Sequence, residues 1–275
     1  MKTIIRSFVV SLLLLNVSLA FWEKIDTVST YSPSMKKSIK AVVVTPGSYA
    51  KGKQYPVLYL LHGYSGNSEN WLSSMPSTKK LADKYQYIIV CADGNFGSWY
   101  FDSPIDSTWR YETYISKELI QWIDSHYKTI PLREGRAISG LSMGGHGALF
   151  VAFRHQDVFG ACGSMSGGVD IRPFPLSWDI AKRLGDMKTH PENWEKYTVM
   201  NQLSYLMPNS IKIIFDCGTE DFFYQVNVKL HEELLYRNIP HDFISRPGSH
   251  NSDYWNNSIQ YQGLFFANYF NEKKK

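Results

Sequence analysis

A serine hydroxyl attacks a carbonyl only when a base takes its proton and a third group orients that base. Ser142 is dressed for this, with Gly140 and Gly144 two positions to either side. The G-x-S-x-G spacing fits a strained strand-to-helix turn that lifts the serine oxygen above a sheet edge. Glycines are needed there because a Cβ would strike the neighbouring strand or helix. The five-letter pattern arises by chance in about one chain in ten of this length, so its surroundings decide. Ala137 and Ile138 precede it as a β-capable run, and Ala148, Leu149, Val151, Ala152 and Phe153 follow at spacings that suit a buried helix. Ser142 is read as a nucleophile.

Sites built on this turn order their partners serine, acid, histidine, with the acid and the histidine on loops after strands. Among eight histidines, His250 has the right order and position, in a Gly-containing loop after the last predicted strand, and is the expected general base. His62 precedes the nucleophile and His146 lies one helical turn beyond it; both are expected to shape the site rather than titrate in it. Asp216, Glu220 and Asp221 share the loop after a strand at 211–215. Asp221 leads, because Asp216 is close to the strand and the turn through Gly218 should carry the chain outward; Glu220 stays a competitor. The oxyanion formed in acyl transfer needs donors aimed at it. The Met143 backbone N–H, at the start of the helix, is one, and the loop after a strand at 55–61 should supply the second, at Tyr64 or its neighbours.

These groups need a frame. The unbroken apolar runs at 55–61 and 87–92 suit strands buried on both faces. The segments 25–31 and 38–45 read as an antiparallel hairpin at one sheet edge. Helices are predicted over 77–85, 111–127, after Ser142, over 226–237 and over 254–270, and strands over 160–165, 211–215 and 242–245. Strand, helix and strand alternate, which implies a mostly parallel sheet. The stretch 170–208, with four prolines and with Trp178, Trp194 and Tyr197, breaks the alternation and is the candidate for a cap-like insertion.

Composition sets the class. A chain of 275 residues, 44% hydrophobic and 15% aromatic, is in the range of one large α/β domain, here 21–275. Residues 1–20 read as a secretory signal peptide: Lys2 and Arg6, an apolar run over 8–15, and small residues before a cut near Ala20. The run is too short to span a bilayer, so no stable membrane anchor is expected, and the product is expected in the periplasm or outside the cell. Without Lys2 and Arg6 the 29 basic residues become 27 against 25 acidic ones, a balance that argues against a nucleic-acid partner. Cys91, Cys162 and Cys217 show no C-x-x-C spacing; they read as buried free thiols, with neither a disulfide framework nor a metal site indicated. The acyl-transfer chemistry requires no cofactor.

The chain resembles the esterase D-like α/β-hydrolases, a group that holds S-formylglutathione hydrolases, tributyrin-type esterases and the acetylxylan and feruloyl esterases of carbohydrate esterase family 1. The resemblance spans nearly all of 21–275. It rests on the runs at 61–67, 98–104 and 140–148, on Cys217 to Asp221, and on Gly248 to His250. It implies an α/β-hydrolase fold with helices on both sheet faces. It also implies Ser142 as nucleophile, Asp221 in preference to Glu220 as acid, His250 as base, and oxyanion amides at Tyr64 and Met143. The export signal distinguishes the chain from cytosolic S-formylglutathione hydrolases and favours an ester substrate on plant-wall polysaccharide, acetyl or feruloyl. A broad short-chain esterase, a thioesterase, a sugar acyltransferase or a non-catalytic carbohydrate-binding scaffold are the competing readings. Trp99, Tyr100 and Phe222, with Trp109 and Trp255, lie near predicted strand ends, where their rings could stack on a sugar or phenolic group.

Overall fold

The computed structural model describes residues 23–50 and 52–272; the leader read from 1–20 lies outside them. The apolar runs form one eight-stranded sheet in the order β1-β2-β4-β3-β5-β6-β7-β8. Its strands are β1 (Lys24–Ser32), β2 (Lys37–Thr45), β3 (Val57–Leu61), β4 (Ile88–Ala92), β5 (Arg136–Gly140), β6 (Ala161–Met165), β7 (Lys212–Gly218) and β8 (Asp242–Arg246). The hairpin β1–β2 is antiparallel and β2 runs antiparallel to β4, while every pairing from β4 to β8 is parallel.

Period-two alternation divides the central strands between two cores. Val57, Tyr59 and Leu61 enter one core, and Leu58 and Leu60 enter the other. Short α1 (Asn70–Ser73) follows β3, and α2 (Ser77–Tyr85) with the closing α9 (Ser252–Glu272) covers the second face through Leu81, Ile259 and Phe266. The first face carries α3 (Tyr111–Thr113), α4 (Leu119–His126), α5 (Met143–Arg154) and α8 (Tyr224–Tyr236). Helix α5 is buried all round except at Arg154, which matches an apolar helix at the centre of a large domain. Among the described residues no helix is long and apolar enough to cross a membrane.

Two local readings are corrected, and the inserted stretch gains its internal structure. The single helix over 111–127 is interrupted by a π-helical turn at Tyr114–Glu118; from it the Tyr114 hydroxyl meets Thr30 Oγ1 at 2.6 Å and Glu118 accepts a hydrogen bond from Ser32 Oγ at 2.5 Å. Strand β7 runs three residues beyond 215, because the Asp216 carboxylate is accommodated inside the protein by Ser258 Oγ (2.6 Å) and Gln262 Nε2 (2.7 Å) of α9. The stretch 170–208 folds as α6 (Ile180–Leu184), α7 (Pro191–Tyr197) and a 3-10 segment, Val199–Tyr205. Its Ile180, Trp194, Val199 and Leu203 are buried in the first core, which anchors the insertion on the domain, and its Trp178 reaches the wall of the cleft that holds Ser142.

The strand order places the site. From β3 the chain moves outward to β4 and returns to β5, which then leads to β6 on the other side. The loops after β3 and β5 therefore part company over adjacent strand ends and leave a crevice, the position where open parallel sheets bind ligands.

Candidate active site

Ser142 sits between β5 and α5 with φ 56° and ψ −118°, a conformation that costs a non-glycine residue on the order of 1–3 kcal/mol. The surrounding backbone holds it there: its N–H donates to Met165 O (2.9 Å) and its carbonyl accepts from His146 N (3.1 Å). The flanking glycines have the predicted cause. A Cβ on Gly140 would lie 2.2 Å from Gly144 O, and one on Gly144 would lie 2.1 Å from Leu61 O of the adjacent strand.

Three loops converge on the serine oxygen. His250 Nε2 is 2.9 Å from Ser142 Oγ, and His250 Nδ1 is 2.8 Å from Asp221 Oδ2. A carboxylate only accepts, so Nδ1 carries the proton and Nε2 presents its lone pair to the hydroxyl. The other Asp221 oxygen accepts the Phe223 N–H at 2.8 Å, and the side chain is fully shielded from solvent. The loops bearing acid and base are laid together backbone to backbone. Thr219 N donates to Arg246 O (3.0 Å) and Glu220 N to Gly248 O (3.0 Å), and a Cβ on Gly218 would lie 2.1 Å from Gly248 O. Glu220 instead accepts a hydrogen bond from Ser249 Oγ at 3.1 Å in an exposed position. The geometry thus separates two neighbouring acids that spacing left open.

Tyr64 lines the cleft with Ser142. The amides next to it, Ser65 and Gly66, are engaged by Phe96 O (2.7 Å) and Gly63 O (3.1 Å), whereas the Tyr64 amide has no acceptor among the described residues. Met143 is the first residue of α5, where an N–H has no intrahelical acceptor and the helix dipole favours negative charge. His62 is a brace: Nδ1 donates to Gly63 O (2.7 Å) and Nε2 accepts the Gly94 N–H (2.8 Å). His146 is fully buried, its Nε2 donates to Tyr197 O at 3.0 Å, and burial lowers its pKa from 6.5 to about 3. Cys91, Cys162 and Cys217 are free and buried. Among the described residues no group of three His, Cys, Asp or Glu side chains is placed to hold a metal ion.

The cleft encloses about 390 Å³, with Met75, Leu141, Trp178, Phe222 and Trp255 among its apolar walls. Phe222 is half exposed, with its ring 4.3 Å from that of His250; Trp255 meets the same imidazole edge-on at 4.9 Å. Trp99 and Tyr100 are not in the cleft. Both take left-handed backbone, φ 54° and 58°, which turns their rings inward: Trp99 Nε1 donates to Trp178 O (2.9 Å), and Tyr100 OH donates to His62 O (3.1 Å). Trp109 is likewise elsewhere, under the Arg183 guanidinium at 3.7 Å. Trp178 reaches the cleft from the stretch read as a cap-like insertion; Met75 was not predicted to face it, because it sits in no periodic segment that would have assigned it a side.

A family model described as "Putative esterase" matches residues 32–265. The chain is 26% identical over 252 residues to an acetyl esterase of Caldicellulosiruptor saccharolyticus, covering 84% of this chain and 94% of that protein. It is 34% identical over 134 residues to Esterase Rv1288 of Mycobacterium tuberculosis, covering 47% of this chain but only 29% of that longer protein. A solved ferulic acid esterase superposes with a TM-score of 0.79 at 28% identity, over 91% of this chain and 99% of the other. With eight strands in α/β-hydrolase order and a family match over most of its length, the chain belongs to this esterase family.

Proposed function

We propose that the protein is an exported serine carboxylesterase that hydrolyses short acyl or feruloyl esters of plant cell-wall polysaccharide through an acyl-enzyme on Ser142. The unbroken hydrogen-bonded chain from Asp221 through His250 to Ser142 carries the reading. His250 Nε2 takes the hydroxyl proton as Oγ bonds to the ester carbon, and the carbonyl electron pair moves onto its oxygen. The amides of Tyr64 and Met143 receive that oxyanion; removing such a donor in comparable sites costs about 10²–10³ in rate. The tetrahedral centre collapses as the C–O bond to the alcohol breaks, and the proton on His250 passes to the leaving oxygen. Water then loses a proton to His250 and attacks the acyl carbon, and Ser142 leaves with that proton restored. Asp221 holds the imidazole in its working tautomer throughout.

The acyl and alcohol preferences are supported by the names of the acetyl esterase and ferulic acid esterase relatives and by a cleft walled by Trp178, Phe222 and Trp255. Export rests on the leader-like first twenty residues. The test is Ser142→Ala, expected to fold as wild type and to lose hydrolysis of p-nitrophenyl acetate and labelling by a fluorophosphonate; retained turnover refutes the nucleophile. Rates on acetylated xylan, methyl ferulate, tributyrin and S-formylglutathione then rank the substrates, and a thioester preference refutes the polysaccharide reading.

A further inference from the structure

The inserted segment 170–208 sends one corner to the cleft, Trp178 and Asp179, and both residues take left-handed backbone, φ 52° and 58°. Two consecutive non-glycine residues in that region are unfavourable and persist only where their surroundings hold them. Four contacts do so. Asp179 Oδ2 accepts the Tyr64 hydroxyl at 3.1 Å, while Lys182 Nζ lies 3.0 Å from its other oxygen. The Trp178 carbonyl accepts Trp99 Nε1 at 2.9 Å, and the Trp99 amide in turn lies 3.4 Å from Met143 Sδ. The Trp178 ring stacks on Phe222 at 5.4 Å, and Phe222 packs on the His250 imidazole at 4.3 Å.

We infer that the Trp178–Asp179 corner braces the oxyanion site, with Asp179 and the Tyr64 hydroxyl as positioning residues for the Tyr64 amide and Trp99 as their counterpart for Met143. The inference rests on the esterase reading above. Its physical need is plain: the loop after β3 has no regular structure around Tyr64, yet an oxyanion donor works only at hydrogen-bond distance from where charge develops. The Tyr64 side chain is pinned at two points, by Asp179 through its hydroxyl and by Phe96 edge-on to its ring at 4.8 Å, and the Ser65 amide fixes the chain just beyond it on Phe96 O. The segment that reads as a cap-like insertion in sequence thus also acts as a strut. Because Asp179 is about one-third exposed, solvent screens this bond, and the effect of losing it is far below that of losing an oxyanion donor outright.

The experiment compares Tyr64→Phe, Asp179→Ala and Asp179→Asn with wild type, using Leu176→Ala, a change at an almost fully exposed side chain of the same segment, as control. Tyr64→Phe and Asp179→Ala should lower kcat on p-nitrophenyl acetate about tenfold and leave KM within about twofold, since the lost interaction acts in the transition state. Binding of an aryl boronic acid, which forms a tetrahedral adduct with Ser142 Oγ, should weaken by the same factor as kcat/KM. Asp179→Asn keeps an acceptor oxygen and should recover most of the loss; Leu176→Ala should match wild type. Values of kcat within about twofold of wild type in both disrupting variants overturn the brace. So does a loss of kcat with boronate affinity unchanged, or a parallel fall in thermal midpoint that accounts for the loss. A wild-type chain inactive on every ester overturns the esterase reading itself, an outcome separate from an active enzyme indifferent to these changes.

Discussion

Asp221→Asn offers the sharpest test of the acid assignment, because the structure dictates which way the new amide turns. One carboxylate oxygen accepts the Phe223 N–H at 2.8 Å and the other accepts His250 Nδ1–H at 2.8 Å. An asparagine must keep its oxygen toward Phe223, since an NH2 there would meet an N–H donor head on. The amide NH2 then faces His250 and donates to Nδ1, which moves the imidazole proton to Nε2, opposite Ser142 Oγ. In that tautomer the histidine cannot accept the serine proton. The expected loss in kcat is about 10³–10⁴, or about 4–5.5 kcal/mol of transition-state stabilisation, the scale seen when a triad acid is replaced this way. Glu220→Gln removes only charge from an exposed side chain bonded to Ser249 Oγ, and kcat should stay within about twofold. Initial rates on p-nitrophenyl acetate across pH measure both. A collapse in Glu220→Gln with activity kept in Asp221→Asn would refute the orientation argument and return the role to Glu220.

Gly144→Ala should lower kcat/KM by at least about a hundredfold, because a Cβ 2.1 Å from Leu61 O forces β3 and α5 apart by about an ångström at the reacting atoms; urea denaturation should show a stability loss of about 1–3 kcal/mol, and an unchanged kcat/KM would contradict the close approach. His146 makes stability fall in mild acid. Burial holds its folded pKa near 3 against 6.5, so the unfolded chain binds more protons below pH 6.5, and the histidine's contribution is complete above that pH and lost as pH falls toward 3. His146→Phe, which keeps the ring contacts with Trp99, Phe101 and Phe150, should therefore lose about 2 kcal/mol less than wild type between pH 7.5 and 5; identical losses in urea titrations would refute the assignment.

What the sequence disclosed follows the range of the interaction that decides each feature. Strands buried on both faces announce themselves by unbroken apolar runs, and β3, β4 and the hairpin lie where 55–61, 87–92 and the two flanking segments predicted them. Ser142 and His250 were legible because a local motif fixes one and chain order fixes the other. The choice of Asp221 over Glu220 was legible as a preference only, with Glu220 kept as a competitor by spacing, since it is made by the contact of Gly218 with Gly248, thirty residues on, and by hydrogen bonds between their loops. The end of β7 was misread for the same reason: Asp216 looks like a loop residue until Ser258 and Gln262 arrive from α9 to satisfy it. Trp99 and Tyr100 were misplaced because left-handed backbone at non-glycine residues leaves no mark in composition.

The same close approaches explain why this site tolerates so little slack. The two candidate oxyanion amides belong to separate chain segments, the loop after β3 and the first turn of α5, and glycine lies at two points where those segments come close. Gly144 faces the carbonyls of Leu61 and His62, while a Cβ on Gly63 would meet the Leu141 side chain at 2.8 Å and Ser142 Cβ at 3.3 Å. Backbone packed on backbone fixes a separation more firmly than interdigitating side chains, which can change rotamer. The serine, held in its strained conformation between those segments, is therefore set relative to both amides by the sheet itself. The inferred brace at the Trp178–Asp179 corner adds a constraint from outside the sheet, where the Tyr64 hydroxyl meets Asp179 and its ring meets Phe96.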